Sequence, residues 1–499
     1  MRRRVDETAE IVGGEVIAGA PSRAWDRAAI DSRRIGGGEL FFALPGERTD
    51  GHRFVADAFR RGAAAAVVHR DVEPPAHDGG CLLRVTDVYT ALHDLTRALR
   101  RDAPEVLLAV TGSSGKTTTK ELLAAMCARR FRTARSPGNL NNLYGFPVSF
   151  LSIPDDTEVM VAELGMSVAG ELGAVSRLAR PDGVVLTNVR PVHLESFPDL
   201  SGIAEAKAEI FQGLACRNGR GGFVAANRDD PEVVRVTRRW REETGGRVVW
   251  FAGEPDGGAG EAEVRARDVR PREGAGSRFV LELGEDAIEA ELPLHGAYNV
   301  ANAVAAAAAA RELGVTPEEV RDALAGAAPA AHRGAVHRLP DGVVLIDDSY
   351  NSNPDALGRA LAGAAELASG ARRVAVLGDM LELGPGGPAF HRESGERAAR
   401  LGFSPLAGVG ELCRELVAGA REAGARADWL PDAEAAAVWA EETLRPGDLV
   451  LVKGSRGVGL DRVVDRLVGG RSDEGEFRTV TSLSPRPGGR GTEGEGDFR

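Results

Sequence analysis

The stretch EVLLAVTGSSGKTTTKE, Glu105 to Glu121, constrains this chain more than any other. An apolar run ends in a glycine-rich turn and passes directly into a helix-forming run. A buried strand feeding a helix in this way is the first half of a βαβ unit, so the segment predicts a parallel sheet with helices on its faces. Gly112 and Gly115 allow backbone N–H groups to approach an anion at the positive end of that helix. The spacing is shorter than the usual G-x-x-x-x-G-K-S/T, because Val110 stands where the first glycine belongs. Two readings compete: a phosphate loop of shortened form, or a plain strand-to-helix turn.

Composition decides between them. Lysine and arginine number 62, yet only Lys116, Lys120, Lys207 and Lys453 are lysines. A chain that fills nearly all its basic positions with arginine keeps lysine where a compact point charge or a primary amine is needed. Lys116 in the loop, Lys207 and Lys453 are therefore singled out, while Lys120 reads as a surface survivor. With Lys116 placed to reach the β- and γ-phosphates and the Thr117 hydroxyl placed to ligate Mg²⁺, nucleotide binding is expected. Ser113, Ser114 and Thr118 complete the loop.

Strand and helix patterns alternate along most of the chain, and the fold class expected is α/β in three domains. Residues 1–98 read as a small α/β unit, with ELFFALPG and AAAVVHR as strands around the helix FVADAFRRGA. Residues 99–329 read as a central phosphate-loop-type domain with a parallel sheet. Its 251–294 stretch has the look of short antiparallel strands, and YNVANAVAAAAAARELG that of a helix with a glycine stop. Residues 330–469 read as a third, Rossmann-like α/β unit carrying GVVLIDD, RRVAVLGDM and DLVLVKGS as strands. Residues 470–499, rich in Gly, Pro, Ser and charge, read as disordered.

A formal net charge of −12 argues against a nucleic-acid partner. No run of about 18 apolar residues occurs, so no integral membrane segment is expected, and MRRRVDETAE has no apolar core of a secretory signal. A cytoplasmic monomer is the expectation. Cys81, Cys127, Cys216 and Cys413 are too scattered for a metal finger and read as buried free thiols.

Further motifs follow in a fixed order: GNLNNLYGFP with Asn141 and Asn142, AELGM with Glu163, LTNVRPVHLESF with His193, and AEAKAEIF with Lys207. HGAYNVANAVAA with Asn299 and Asn302, Arg333, DDSYNSNPDAL with Asp348, GDMLELG and LVKGSRGVGL come after them. Together with the shortened loop they resemble the Mur ligase family over residues about 30 to 468. GNLNN and the last three motifs resemble the branch that adds D-alanyl-D-alanine to UDP-N-acetylmuramoyl-tripeptide. The D-N-P-R segment of the branch that adds the third amino acid is not present.

The resemblance implies an ATP- and Mg²⁺-dependent ligase of peptidoglycan precursor synthesis that works through an acyl phosphate and yields ADP and phosphate. It implies that Glu163 and His193 ligate Mg²⁺ together with Thr117. Lys207 matches a lysine that CO₂ carbamylates into an anionic ligand. Asn299 and Asn302, three apart on one helix face, are expected to meet the adenine, Arg333 the phosphates and Asp348 the ribose. Ser32 and Arg33 are expected at the UDP end, with Asn141 and Asn142 at the pyrophosphate. Asp379, Met380, Leu383, Lys453, Ser455 and Arg456 are expected around the dipeptide. The chain departs from the family pattern at Arg190 and Pro191, at Leu143 and Tyr144, and at Tyr298. Two other functions are weighed against this one: a folylpolyglutamate-synthase-like amide ligase, and a nucleotide-binding scaffold without chemistry.

Overall fold

The computed structural model describes residues 3–46, 49–73, 80–103, 105–138, 140–192, 194–197, 199–215, 222–253, 262–272, 276–368 and 370–469. His193, Cys216 and the 470–499 tail lie outside the described residues. Three α/β sheets follow one another along the chain. The first is built from β1 (Glu15–Ala18), β2 (Arg27–Ala29), β3 (Glu39–Phe42), β4 (Ala65–Val68) and β5 (Cys81–Arg84), in the order β1-β5-β4-β3-β2. β2 to β5 run parallel, and only β1 pairs antiparallel.

Helix α1 (Val88–Asp102) leaves this sheet for the next. Asp87 caps it by accepting from Thr90 N at 2.7 Å. Near its far end Arg100 is wholly buried and donates to the carbonyls of Ala179, Arg180 and Glu105 and to Asp182 Oδ2, at 2.8 to 3.1 Å. A buried guanidinium is tolerable only when its donors are satisfied in this way, and here it fixes the connecting helix to the central unit.

The central sheet has nine strands. They are β6 (Val106–Thr111), β7 (Thr133–Arg135), β8 (Val159–Glu163), β9 (Gly183–Leu186), β10 (Phe223–Asn227), β11 (Arg247–Ala252), β12 (Val264–Pro271), β13 (Ser277–Leu283) and β14 (Asp286–Leu292). Their order is β14-β13-β12-β11-β10-β9-β6-β8-β7, parallel from β7 to β12 and antiparallel beyond. β6 lies between β8 and β9, so the strand order reverses at its carboxyl end. Open α/β sheets form their ligand crevice at such a reversal.

Three helices frame that crevice: α2 (Lys116–Cys127), α3 (Glu171–Ala179) and α4 (Leu200–Ala208). A fourth, α5 (Tyr298–Glu312), packs on α2 and the sheet. From Ala303 to Ala310 it is buried on every side, which explains its composition: only small side chains let a helix approach neighbours all around.

The third sheet holds β15 (Ala335–Arg338), β16 (Val344–Asp348), β17 (Arg373–Gly378), β18 (Phe403–Val409), β19 (Ala427–Leu430) and β20 (Leu449–Lys453), ordered β15-β16-β20-β17-β18-β19. It is parallel except for β15. Helices α6 (Pro354–Leu367) and α7 (Gly387–Arg400) accompany it. Among the described residues no helix is long and apolar enough to cross a membrane.

Candidate functional site

The loop after β6 is shaped by two glycines at positive φ. Gly112 has φ +147° and Gly115, which precedes the first residue of α2, has φ +81°. A Cβ on Gly112 would lie 2.0 Å from Thr187 Oγ1, and one on Gly115 would lie 2.2 Å from Asn302 Oδ1. No side chain fits at either position. The loop is held from β9: Ser113 N donates to Asn188 O at 2.9 Å, Ser114 N to Asn188 Oδ1 at 2.9 Å, and Thr187 Oγ1 to Ser114 O at 2.8 Å. Thr119 N closes the first turn on Gly115 O, which leaves the N–H groups of Lys116, Thr117 and Thr118 at the helix's open positive end.

Lys116 arches back over this loop, its Nζ donating to Gly112 O at 2.9 Å. Burial lowers its pKa, Glu163 acts in the opposite sense, and Arg333 adds to the lowering. At the next position, Thr117 Oγ1 donates to Glu163 Oε2 at 2.6 Å, and both residues are buried. Asn141 Nδ2 donates to Glu163 Oε1 at 2.9 Å. A hydroxyl and a buried carboxylate in contact beside a phosphate-loop lysine supply hard oxygen ligands, the donor set that suits Mg²⁺. Lys207, on α4, is 3 % exposed and lines the same cavity. Burial, and then the charge of Lys116, push its amine well below the ordinary lysine value.

That cavity, of about 590 Å³, is shared between two sheets. The central unit contributes Lys116, Glu163 and Lys207, and the third unit contributes Arg333, Asp348 and Lys453. Asp348 and Lys453 are register partners at the carboxyl ends of β16 and β20, and Lys453 Nζ donates to Asp348 Oδ2 at 2.5 Å. The guanidinium of Arg333 lies 4.1 Å from the centre of the Tyr350 ring. Asn299 and Asn302 also line the cavity, in a buried relay: Asn302 Nδ2 donates to Asn299 Oδ1 at 3.0 Å, and Asn299 Nδ2 to His295 O at 2.7 Å. Gly112 is not among the lining residues, but Ser113, Ser114, Thr118 and Asn142 are. Asn142 Oδ1 accepts from Tyr144 N and Gly145 N.

Of the residues expected at the UDP end and around the dipeptide, Ser32, Arg33, Asp379, Met380, Leu383, Ser455 and Arg456 do not line this cavity. Ser32 is buried and gives its hydroxyl to Asp57 Oδ2 at 2.7 Å, whereas the Arg33 side chain is 81 % exposed and chelates Asp31. Neither lines the cavity. Met380 and Leu383 belong to the apolar core of the third unit. Ser455 Oγ accepts from Leu381 N at 3.0 Å, and Arg456 pairs with Asp461. Asp379 Oδ1 accepts from Cys413 N at 2.8 Å.

Asp379, His391 and Cys413 offer potential ligand atoms within 4.8 Å of one another, but their chemistry is that of a hydrogen-bonded knot. His391 Nε2 accepts from Met380 N at 2.9 Å while Nδ1 faces Gly387 O at 2.7 Å, so no ring lone pair is left for a metal. Burial also holds the Cys413 thiol well above its ordinary value. Cys81, Cys127 and Cys413 are free and buried.

Lys120 reverses the surface reading. It is wholly buried, with Ser136 O at 2.7 Å, Gly138 O at 3.3 Å and Glu121 Oε1 at 3.1 Å from its Nζ. Sequence reasoning also passed over Thr187 and Asn188, which hold the phosphate loop, although both sit in the LTNV motif. Arg190 was noted only as a departure. Its backbone N donates to Ser113 Oγ at 2.9 Å, and its guanidinium reaches the buried Asp230 at 2.9 Å and Asp355 of α6 at 3.8 Å.

The models of three Mur ligase domains match the chain: "Mur ligase family, catalytic domain" at residues 28–125, "Mur ligase middle domain" at 110–310, and "Mur ligase, glutamate ligase domain" at 332–456. UDP-N-acetylmuramoyl-tripeptide–D-alanyl-D-alanine ligase of Mycobacterium bovis is 36 % identical, over 93 % of this chain and 97 % of that protein. Among solved structures, MurF from Acinetobacter baumannii superposes with a TM-score of 0.79 at 28 % identity, covering 94 % of this chain and 99 % of its own. MurF ligase from Thermotoga maritima, solved in complex with ADP, gives a TM-score of 0.73 at 27 % identity, covering 89 % of this chain and 97 % of its own. With a glycine-shaped phosphate loop, a Thr–Glu oxygen pair and a cavity closed by the third unit, and with these matches along nearly its whole length, the chain belongs to the Mur ligase family.

Proposed function

We propose that this chain joins the amino group of D-alanyl-D-alanine to the terminal carboxylate of UDP-N-acetylmuramoyl-tripeptide, splitting ATP to ADP and phosphate. The carboxylate takes the γ-phosphoryl group to become an acyl phosphate. The amine then attacks the acyl carbon, and phosphate leaves from the tetrahedral adduct. The observation that carries this reading is the single cavity in which Lys116, Glu163 and Lys207 of one unit face Arg333, Asp348 and Lys453 of another.

The first step has an electrostatic obstacle. Two unit charges about 4 Å apart interact by about 4 kcal/mol at an effective dielectric constant of about 20, and the acid and the γ-phosphate are both anions. Lys116 and Arg333 are the cations this chain places at that encounter. The helix α2 N–H groups hold the β-phosphate end. Thr117 and Glu163 would hold Mg²⁺, with His193 as a further candidate from the sequence motif. Bound there, Mg²⁺ would neutralise phosphate oxygens and make the γ-phosphorus more electrophilic.

Lys207 fits carbamylation because CO₂ adds only to a neutral amine. Its desolvated amine, beside Lys116, is disfavoured as a cation. Addition forms an N–C bond, releases one proton and leaves a carbamate anion, which exchanges a repulsive contact with Lys116 for an attractive one. Asn299 and Asn302 border the base end, Asp348 the ribose, and Lys453 acts on Asp348 by fixing its carboxylate. Asn141 and Asn142, which line the same cavity, would face the nucleotide-peptide. The first unit, 1–98, would take the UDP end, with Ser32 and Arg33 as its candidates. The third unit, 330–469, would bring the dipeptide, and its approach excludes water from the acyl phosphate.

Phosphate release measured with each substrate omitted in turn is the test. Release should require both the nucleotide-tripeptide and D-alanyl-D-alanine. ATP hydrolysis that proceeds equally well with neither present would refute the reading.

A further inference from the structure

Lys120 is the one lysine without a part in the chemistry above, and it is more completely buried than the others. Its three N–H donors face three acceptors: the carbonyls of Ser136 and Gly138 and the carboxylate of Glu121. Glu121 is also paired with Arg135, so it does not depend on Lys120 for a cation. The two carbonyls belong to the loop that follows β7 and leads to Asn141 and Asn142.

The same loop holds Glu163. Ser136 Oγ accepts from Glu163 N at 3.0 Å, Ser136 N donates to Val161 O at 3.0 Å, and Asn141 Nδ2 donates to Glu163 Oε1 at 2.9 Å. Gly165 N closes the arrangement on Asn141 O at 2.8 Å. Lys120 lies three residues after Thr117 on α2, so both point from one helix face toward the end of β8. Thr117 meets the Glu163 carboxylate directly, and Lys120 meets the loop that supports its other oxygen.

We propose that Lys120 is a positioning residue for the metal site: through the carbonyls of Ser136 and Gly138 it fastens the backbone after β7 to the phosphate-loop helix, so that Ser136 and Asn141 hold Glu163 against Thr117. The proposal rests on Thr117 and Glu163 being the Mg²⁺ pair. A compact ammonium suits this buried position, since its three donors meet three acceptors, the carbonyls of Ser136 and Gly138 and the Glu121 carboxylate.

The test uses full-length Lys120→Met and Lys120→Arg, with nucleotide binding followed by calorimetry in the absence of any acid or amine substrate. The proposed ligase reaction can thus fail without touching this result. In both variants the Mg²⁺ concentration that half-saturates nucleotide binding should rise about tenfold or more, while affinity for ADP in chelator changes less than about twofold. Exchange of the Ser136, Glu163 and Gly165 amides should accelerate while α2 stays protected. Lys120→Arg retains the charge and carries the test should Lys120→Met fail to fold. A folded variant with an unchanged Mg²⁺ requirement, or with both nucleotide affinities lowered equally, overturns the proposal.

Discussion

Replacing Gly115 with alanine probes the phosphate loop at its tightest point. The residue sits at φ +81°, in a left-handed conformation that costs a non-glycine residue about 1–2 kcal/mol. The added methyl would stand 2.2 Å from Asn302 Oδ1 and 3.1 Å from its Cγ, so the amide must move by more than an ångström's fraction. Asn302 is buried, accepts from Thr119 Oγ1 at 3.4 Å and donates to Asn299. Displacing it leaves a buried polar group unmet, at about 1–3 kcal/mol. The sum is about 2–5 kcal/mol against any state holding the loop as seen here. The free protein can relax its loop, but the nucleotide-bound one cannot, so the penalty falls on binding. At about 1.4 kcal/mol per decade, ATP affinity measured by calorimetry should fall between about 30-fold and several thousand-fold. Asn302→Ala removes the collision together with the amide at the base end, so the clash is read from the full cycle: Gly115→Ala should cost less ATP affinity in the Asn302→Ala background than in the parent. An affinity within about threefold of the parent for Gly115→Ala, with unchanged melting temperature, would refute this reasoning.

Other outcomes follow from neighbouring contacts. Glu163→Gln keeps the shape but not the charge facing Thr117, and should raise the Mg²⁺ requirement for nucleotide binding about tenfold or more with little change in melting temperature. Lys207→Arg keeps a cation but cannot form a carbamate. It should reduce phosphate release by at least about 100-fold, and a carbamate signal in ¹³C NMR with labelled bicarbonate should arise in the parent and be absent from the variant. His391 is held neutral by burial, against the pull of Gly387 O and Asp379. Its unfolded form takes up a proton near pH 6.5 that the folded form refuses, so stability to urea should fall as pH drops below about 6.5; in His391→Gln that slope should flatten.

The sequence carried the central sheet well where glycine turns and long helices punctuate it. VTGSSGK, AELGM and YNVANAV each appear at the element end expected. β10 and β11 were not read from it, because FVAAN and RVVWFA are short apolar runs that periodicity alone cannot separate from buried helix turns. β7 and β19 escaped for a related reason. TAR and ADWL are three- and four-residue strands defined by the neighbours they pair with, β8 and β18, and no local propensity marks so short a segment.

At the site the division is different. Residues whose chemistry is unusual for this chain could be found in advance: three of four lysines were singled out because arginine has taken almost every other basic position. The fourth was misjudged by the same argument applied too weakly. An amphipathic pattern places Lys120 on α2 without saying which face is buried, since the helix is covered by β8 on one side and α5 on another. Had rarity alone been trusted, Lys120 would have been assigned to the interior. GDMLELG is set at the dipeptide by the resemblance alone, and within it Met380 and Leu383 pack into the core of the third unit. A motif fixes which residues recur together, whereas burial determines which of them can touch a ligand, and burial is set by elements far away in sequence. The positions hardest to foresee are accordingly those acting through others. Asn188 shapes the phosphate loop from the next strand, and Lys120 shapes the carboxylate from the next helix; neither needs to touch the nucleotide, so neither carries a mark of its chemistry in its local pattern.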